Sequence, residues 1–356
     1  MKAVKPLIRG LVALSATAWL MAGCASGNGE SPSGDLVAIG AGLQGVAGLR
    51  ATILTHGPAH VSAFTIDGAG RLWLSTAAAT DTGTDGVYVV AHPGATPVEV
   101  VAGLHTPLGL LWIGPELYVA SRERVDAYGD LVATTFATHR RVVSFPAGVG
   151  ELNGLLRAPD GRIQLAISAP CDHCRTTSPY SAAVVSFRPD GSDLRVDVSH
   201  LRAPVGLAYV PHTDAVLATV DQRDDLGAAT PGDLLIQLVR GQNWRFPDCY
   251  SQRGSACDGV DDPVATLDPH AGVDGLAVAT GQLGSTVGTA AIVAEYAQGK
   301  VQRVPLVANP TGSGYHGTAA PFLTGIKNPV PVLLGPGGHL FLGDWTTGII
   351  YQITPA

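Results

Sequence analysis

Charge is scarce in this sequence. Asp, Glu, Lys and Arg make up 14 % of its 356 residues, where an average domain carries about a quarter. What charge there is leans acidic, with 29 Asp and Glu against 22 Lys and Arg. That balance excludes the basic footprint of a nucleic-acid binder and a polybasic membrane patch. Helical periodicity is nearly absent, so an all-helical architecture is excluded as well. Beyond the first residues, no apolar stretch is long and uninterrupted enough to cross a bilayer as a helix. No His-x-His, HExxH or Gly-x-Ser-x-Gly spacing occurs, which leaves a zinc site or an elbow-type serine nucleophile without support. What the chain has in plenty is Gly (45) and Pro (25), between apolar runs of Val, Leu and Ile. Those suit a large β-protein with many turns.

The first residues read as an export signal. Lys2, Lys5 and Arg9 precede a short apolar run over 11–21, and Met21-Ala22-Gly23-Cys24 follows. Small residues before a cysteine at the end of such a run resemble a bacterial lipobox. The expectation is a lipoprotein signal peptide over 1–23 and acylation of Cys24, which anchors the protein to the extracytoplasmic side of a bacterial membrane. Ordinary secretory cleavage nearby is the alternative and still gives export. Residues 25–34 (ASGNGESPSG) are small and polar and cannot bury enough apolar surface to order themselves. A flexible tether is expected over 24–45 and the folded domain over 46–356. Losing the signal, which holds three cations and no acid, takes the formal charge from −7 to −10.

One unit recurs along the rest of the chain: an apolar strand, a tight turn with Pro, Asp or Gly, and a second apolar strand. The copies are AFTIDGAGRLWLS (63–75), LGLLWIGPELYVAS (108–121), NGLLRAPDGRIQLAIS (153–168), VGLAYVPHTDAVLATV (205–220), DGLAVATG…TAAIVAEY (274–296) and PVPVLLGPGGHLFLGD (329–344). Their starts lie 45, 45, 52, 69 and 55 residues apart. A spacing near 40–50 residues with several strands per unit is the signature of a propeller. Further strand candidates at 86–91, 183–188, 234–240, 300–306 and 349–353 would complete the blades. The fold expected is all-β, a single six-bladed β-propeller and a monomer. A β-sandwich, the rival, would show shorter, more even strand spacing without a repeated inner hairpin.

In a propeller, the segments leading into each innermost strand gather around the axis, and the ends of the second strands open on the same face. Leu104-His105-Thr106, residues 150–153 (GELN), Leu201-Arg202, Pro269-His270 and Lys327-Asn328 are such lead-ins. Arg122-Glu123, residues 221–224 (DQRD), Glu295-Tyr296 and Asp344-Trp345 are such ends. Polar groups aimed into one funnel are the expected lining of a small-molecule site. Four cysteines remain after Cys24. In an exported protein they read as two loop-stapling disulfides, Cys171–Cys174 and Cys249–Cys257, with crosswise pairing as the alternative.

The fourth repeat is the most specific part of the sequence. Arg202-Ala203-Pro204-Val205-Gly206 precedes its strand. Asp221-Gln222-Arg223-Asp224-Asp225, Pro231-Gly232-Asp233 and Trp244-Arg245-Phe246-Pro247 follow it. This stretch resembles the core of the soluble quinoprotein glucose/sorbosone dehydrogenases, six-bladed propellers that oxidise sugars with pyrroloquinoline quinone and calcium. Ala169-Pro170-Cys171 with Cys174, and Pro269-His270, are similar to the sorbosone-type branch; residues 322–353 are similar to the closing blade. The resemblance implies a carbohydrate-like ligand, Arg202, Arg223, Lys327 and Asn328 as cofactor contacts, and Asp221 and Asp233 as metal contacts.

Around the chemistry the pattern fails. The family's catalytic His falls at Gly150, its acidic neighbour at Val149, and the Asn beside the anchoring Arg at Ala203. A family Lys becomes Ala297, the two basic positions of the last repeat become Asn328 and Val330, and an acidic position becomes Leu234. Glu151 and His270 are the remaining candidates for a base. Three readings follow: a sugar-binding lipoprotein with a degraded site, a divergent quinone-dependent sugar dehydrogenase, or a calcium-dependent lactonase-like hydrolase using Glu151, Asn153, Asp221 and Asp344.

Overall fold

A computed structural model describes residues 35–250, 252, 254–310 and 312–356. The expected signal peptide, Cys24 and the first part of the tether lie outside the described residues. No helix among the described residues is long and apolar enough to cross a membrane.

The chain is a six-bladed β-propeller. Each blade is an antiparallel sheet whose first strand lies innermost, and the six first strands touch in a closed ring. Blades 1 to 4 occupy 61–104, 109–144, 152–199 and 203–269, with four strands each. Blade 5 occupies 273–324, and blade 6 is built from 329–355. All six inner hairpins fall where the repeats place them, as do the third strands at Asp85–Val90, Ala183–Phe187, Gly232–Gln237, Lys300–Pro305 and Ile349–Pro355.

The apolar runs are continuous because both faces of a blade are buried. In the third strand of blade 4, Leu235 packs toward blade 5 while its neighbours Leu234 and Ile236 pack toward blade 3. Successive strand residues point to opposite faces, so an uninterrupted run serves both. The core is accordingly six apolar layers, one at each blade junction.

Two features differ from the sequence reading or add to it. The outer strand of blade 6 is Leu49–His56, from the start of the domain, paired with Ile349–Pro355 in a register that sets Thr55 opposite Ile350. It ties the two ends of the domain together and completes the sixth blade to four strands. Residues 37–45, expected as tether, form a hairpin of Val37–Gly40 and Leu43–Gly45 that extends the outer edge of blade 5. Ile39 and Leu43 are buried there, which explains why this stretch is ordered. The four cysteines pair locally, Cys171 with Cys174 and Cys249 with Cys257, so the crosswise alternative is not the one formed.

Candidate functional site

The glycine of the recurring x-Gly-Leu motif explains how the axis is built. A Cβ on Gly109 would lie 2.3 Å from the carbonyl oxygen of Asn153; on Gly206, 2.5 Å from that of Asp274; on Gly275, 2.3 Å from that of Val330. Adjacent innermost strands therefore approach backbone to backbone, and only glycine permits it. The residue before that glycine, or its counterpart in the blades without one, lines the axial cavity. The result is a ring of one residue per blade: Ser62, Leu108, Asn153, Val205, Asp274 and Val330. Side chains of the ring and of the second strands satisfy the carbonyls freed by this geometry. Ser62 Oγ donates to Pro107 O at 2.7 Å, Asn153 Nδ2 to Pro204 O at 2.7 Å, and Thr219 Oγ1 to Asp274 O at 2.8 Å.

Above the ring opens a cavity of about 900 Å³ to which every blade contributes. The lead-in segments and second-strand ends do converge there, bringing Thr106, Glu151, Arg202, Arg122, Glu123, Asp221, Tyr296 and Trp345 into one lining. Its ionisable wall is acidic: Asp81, Glu123, Glu151, Asp172, Asp221 and Asp274 stand against Arg122 and Arg202. Both arginines are engaged. Arg122 Nη1 lies 2.9 Å from Asp81 Oδ2. Arg202 donates one arm to Asp172 at 2.6 Å and the other to Asp221. Asp172 also accepts the backbone N–H groups of Asp224 and Asp225. The Cys171–Cys174 loop thus fixes the arginine from one side and clamps the following blade-4 loop with the same carboxylate.

The carboxyls in the cavity wall and just behind it are under electrostatic pressure. Burial pushes Asp274 up to about 8, and the nearby charges of Asp221 and Glu151 add to it. Burial raises Asp221 and Asp233 too, against the pull of Arg202 on Asp221 and of the Gln222 N–H on Asp233. Those two are within hydrogen-bonding reach of each other, yet Asp221 Oδ1 and Asp233 Oδ2 are both buried without a donor among the described residues. Two acceptors facing one another need a proton or a cation between them. Glu151 is open to the cavity, and removal from bulk water raises it while Arg202 opposes the rise.

The remaining candidates stand away from the lining. Arg223 is buried but its fork is taken by Asp225, at 2.6 and 2.7 Å, and it lies over the ring of Tyr250 at 4.5 Å. His270 is exposed. Its nitrogens meet Gly227 O at 3.0 Å and Asp224 Oδ1 at 2.7 Å, and those two acceptors raise its pKa. Asn328 bonds the carbonyl of Tyr296 and the hydroxyl of Thr346, and Lys327 uses its backbone N–H on Asp344. The Asp344 carboxylate is consumed by the N–H groups of Lys327, Thr346 and Thr347, so it is a turn-former and leaves the calcium set expected for a lactonase. Asp274 and Asp172 were not singled out by the sequence. The first was legible as the residue before the Gly of x-Gly-Leu; the second sits unmarked between two cysteines.

Gly150, the position of the missing base, is distinctive. Its φ is +112°, and a Cβ there would sit 2.0 Å from the carbonyl oxygen of Ser168. The backbone occupies the room a side chain would need.

No family model matches the chain, and no curated protein matches it. Solved structures do. The iodide structure of the family AA12 carbohydrate-active enzyme of Trichoderma reesei superposes with a TM-score of 0.73 at 16 % identity, covering 91 % of this chain and 100 % of that one. The holo form of the pyranose dehydrogenase PQQ domain of Coprinopsis cinerea gives 0.71 at 16 % identity, over 88 % and 97 %. The PQQ-bound aldose sugar dehydrogenase of Streptomyces coelicolor gives 0.67 at 17 % identity, over 87 % and 99 %. This chain has the propeller fold of the quinone-dependent sugar dehydrogenases. At these identities the likeness is one of fold.

Proposed function

We propose that this chain is an exported, lipid-anchored propeller that binds a sugar or similar small polar ligand in its axial cavity, and that it has lost the quinone-dependent oxidation for which its architecture is used elsewhere. The observation that carries this reading is Gly150. A sugar oxidation of this type needs a base at the hydroxyl that loses its proton as hydride leaves for the cofactor. The position resembling that base has no side chain, and its backbone leaves no space for one.

The cofactor's own requirements argue the same way. Pyrroloquinoline quinone carries several carboxylates, and burying them requires unengaged cations. The lining offers two arginines, both already held by aspartates, amid six acids. These residues do not fit the quinone. Calcium would find the Asp221–Asp233 pair, but among the described residues no three Asp, Glu, His or Cys side chains group in a way that would hold a metal ion.

For a sugar the lining is well suited. Carboxylates accept hydroxyl hydrogen bonds, and Trp345, edge-to-face with Tyr296 at 5.8 Å, offers an aromatic face. Titration of the protein with glucose and other aldoses, followed by tryptophan fluorescence, is expected to give saturable quenching. Trp345→Ala should weaken binding by roughly 3- to 10-fold. An unchanged signal with every sugar tried would remove this reading. The anchor is tested separately: Cys24→Ala is expected to release the protein from the membrane fraction, and continued membrane association would count against lipidation.

A further inference from the structure

We propose that the ligand of the axial cavity is cationic: a small polyhydroxylated molecule bearing a primary or secondary amine, of the amino-sugar class, whose ammonium sits among Glu151, Asp221 and Asp274. This rests on the reading of the cavity as a sugar site and names what that sugar must carry.

The three carboxyls come from adjacent blades. Glu151 stands just ahead of the innermost strand of blade 3, Asp221 at the end of the second strand of blade 4, and Asp274 within the innermost strand of blade 5. All three line the cavity, close enough that the charges of Asp221 and Glu151 disfavour that of Asp274. Behind them, outside the lining, the excess of acid over base continues. Asp233 is 1 % exposed, its Oδ2 has no partner among the described residues, and it faces Asp221, whose Oδ1 is buried and equally unpartnered there. Buried carboxylates are ordinarily paired, because an uncompensated one is costly. Among the described residues one cation, Arg202, serves this cluster, and it is spent on Asp172 and one oxygen of Asp221. Among the described residues the lining contains no lysine or histidine. With that cation spent, protons neutralise the cluster when the cavity is empty, and a cationic ligand can do so when it is filled.

The geometry favours an ammonium over a bare metal ion. The acids surround a space without grouping as a metal site. An ammonium carries its donors outward on separate N–H bonds and can reach acceptors on different walls at once. A hydroxylated body fits the remainder of a cavity lined by Thr106, Asn153, Tyr296 and Trp345.

The test is calorimetric titration of the full-length protein at pH 7 with D-glucosamine, D-glucose, N-acetyl-D-glucosamine and calcium chloride in parallel. Glucosamine is expected to bind at least about tenfold more tightly than glucose or the N-acetyl derivative, the difference between a paired and an unpaired charge. Asp274→Asn and Glu151→Gln should each weaken glucosamine binding more than glucose binding and so erase most of that preference. Thermal melting of both variants identifies any that fails to fold, and the other then decides. Equal affinities for the three sugars overturn the cationic ligand but leave the sugar site standing. No binding by any sugar overturns both. Tight calcium binding that displaces glucosamine overturns the amine in favour of a metal.

Discussion

Gly150→His is expected to destabilise the protein severely and to restore no sugar oxidation. A His at this position is what the resemblance to the quinoprotein dehydrogenases calls for, so the substitution looks like a repair. The backbone says otherwise. At φ +112° an L-residue is strained, and its Cβ would lie 2.0 Å from Ser168 O and 2.9 Å from Ser168 C. Ser168 cannot retreat easily. Its N–H bonds Glu151 O at 3.0 Å, and its hydroxyl accepts from Asn153 Nδ2 at 2.8 Å. Strain and overpacking together should cost on the order of 2–6 kcal/mol. Gly148→Ala is the control. Its φ is also positive, at +74°, but nothing lies within 4 Å of a Cβ there, so it should cost only about 1 kcal/mol. Urea denaturation of the two variants separates steric exclusion from simple loss of a left-handed glycine. A Gly150→His protein as stable as the parent would show that the strand entry can be rebuilt.

Stability is expected to fall as pH rises from 5 to 8, and Asp274→Asn or Asp233→Asn should abolish much of that fall. In the unfolded chain an aspartate titrates at about 3.9. In the folded protein burial holds Asp274 up to about 8 and raises Asp221 and Asp233. Between those values the folded state binds more protons than the unfolded one, so the sign is negative: raising pH favours unfolding. The penalty is absent below the unfolded value and complete above about 8. Asp67, Asp81 and Glu116 are held below their ordinary values by hydrogen bonds and arginines, and they contribute in the opposite direction only at acid pH. At pH 8 each Asn variant should be more stable than the parent by on the order of 1–3 kcal/mol, the cost of an unsatisfied buried polar group. Asp233→Asn has a second reason, since its amide can donate to Asp221 Oδ1 while keeping the bond from Gln222 N–H. Melting temperatures at pH 5 and pH 8 check both. Variants that melt below the parent at pH 8 would mean that a partner already neutralises the cluster.

The blades were legible because each inner hairpin is local and repeated. Apolar runs separated by a Pro, Asp or Gly turn specify two paired strands without reference to the rest of the chain. Leu49–His56 was not legible in the same way. Its partner, Ile349–Pro355, is about 300 residues away, and nothing in its own pattern names that edge. Residues 37–45 look like tether because only alternate side chains, such as Ile39 and Leu43, are buried. In the site, Glu151, Arg202 and Asp221 were reachable from their place in the repeat. Arg223 was placed by the same logic one step too far along. After Asp221 the chain turns away from the axis toward Asp225 and Tyr250, carrying Arg223 with it. Asp274 escaped notice because it reads as part of a blade motif, and only the close approach of neighbouring glycines shows that this position faces the axis.

The most direct measurement is reconstitution of the purified protein with pyrroloquinoline quinone and calcium, followed by dye reduction with glucose and several other aldoses. Loss of a positioned base alone removes about 10²–10⁴-fold in rate, and an acidic lining whose two arginines are already paired should prevent tight quinone binding. Little or no turnover, with no stoichiometric bound-quinone spectrum, is the expected result. Robust turnover by the unmodified protein, carrying one quinone per chain, would contradict the account and make this propeller an active dehydrogenase with a base other than the one at Gly150.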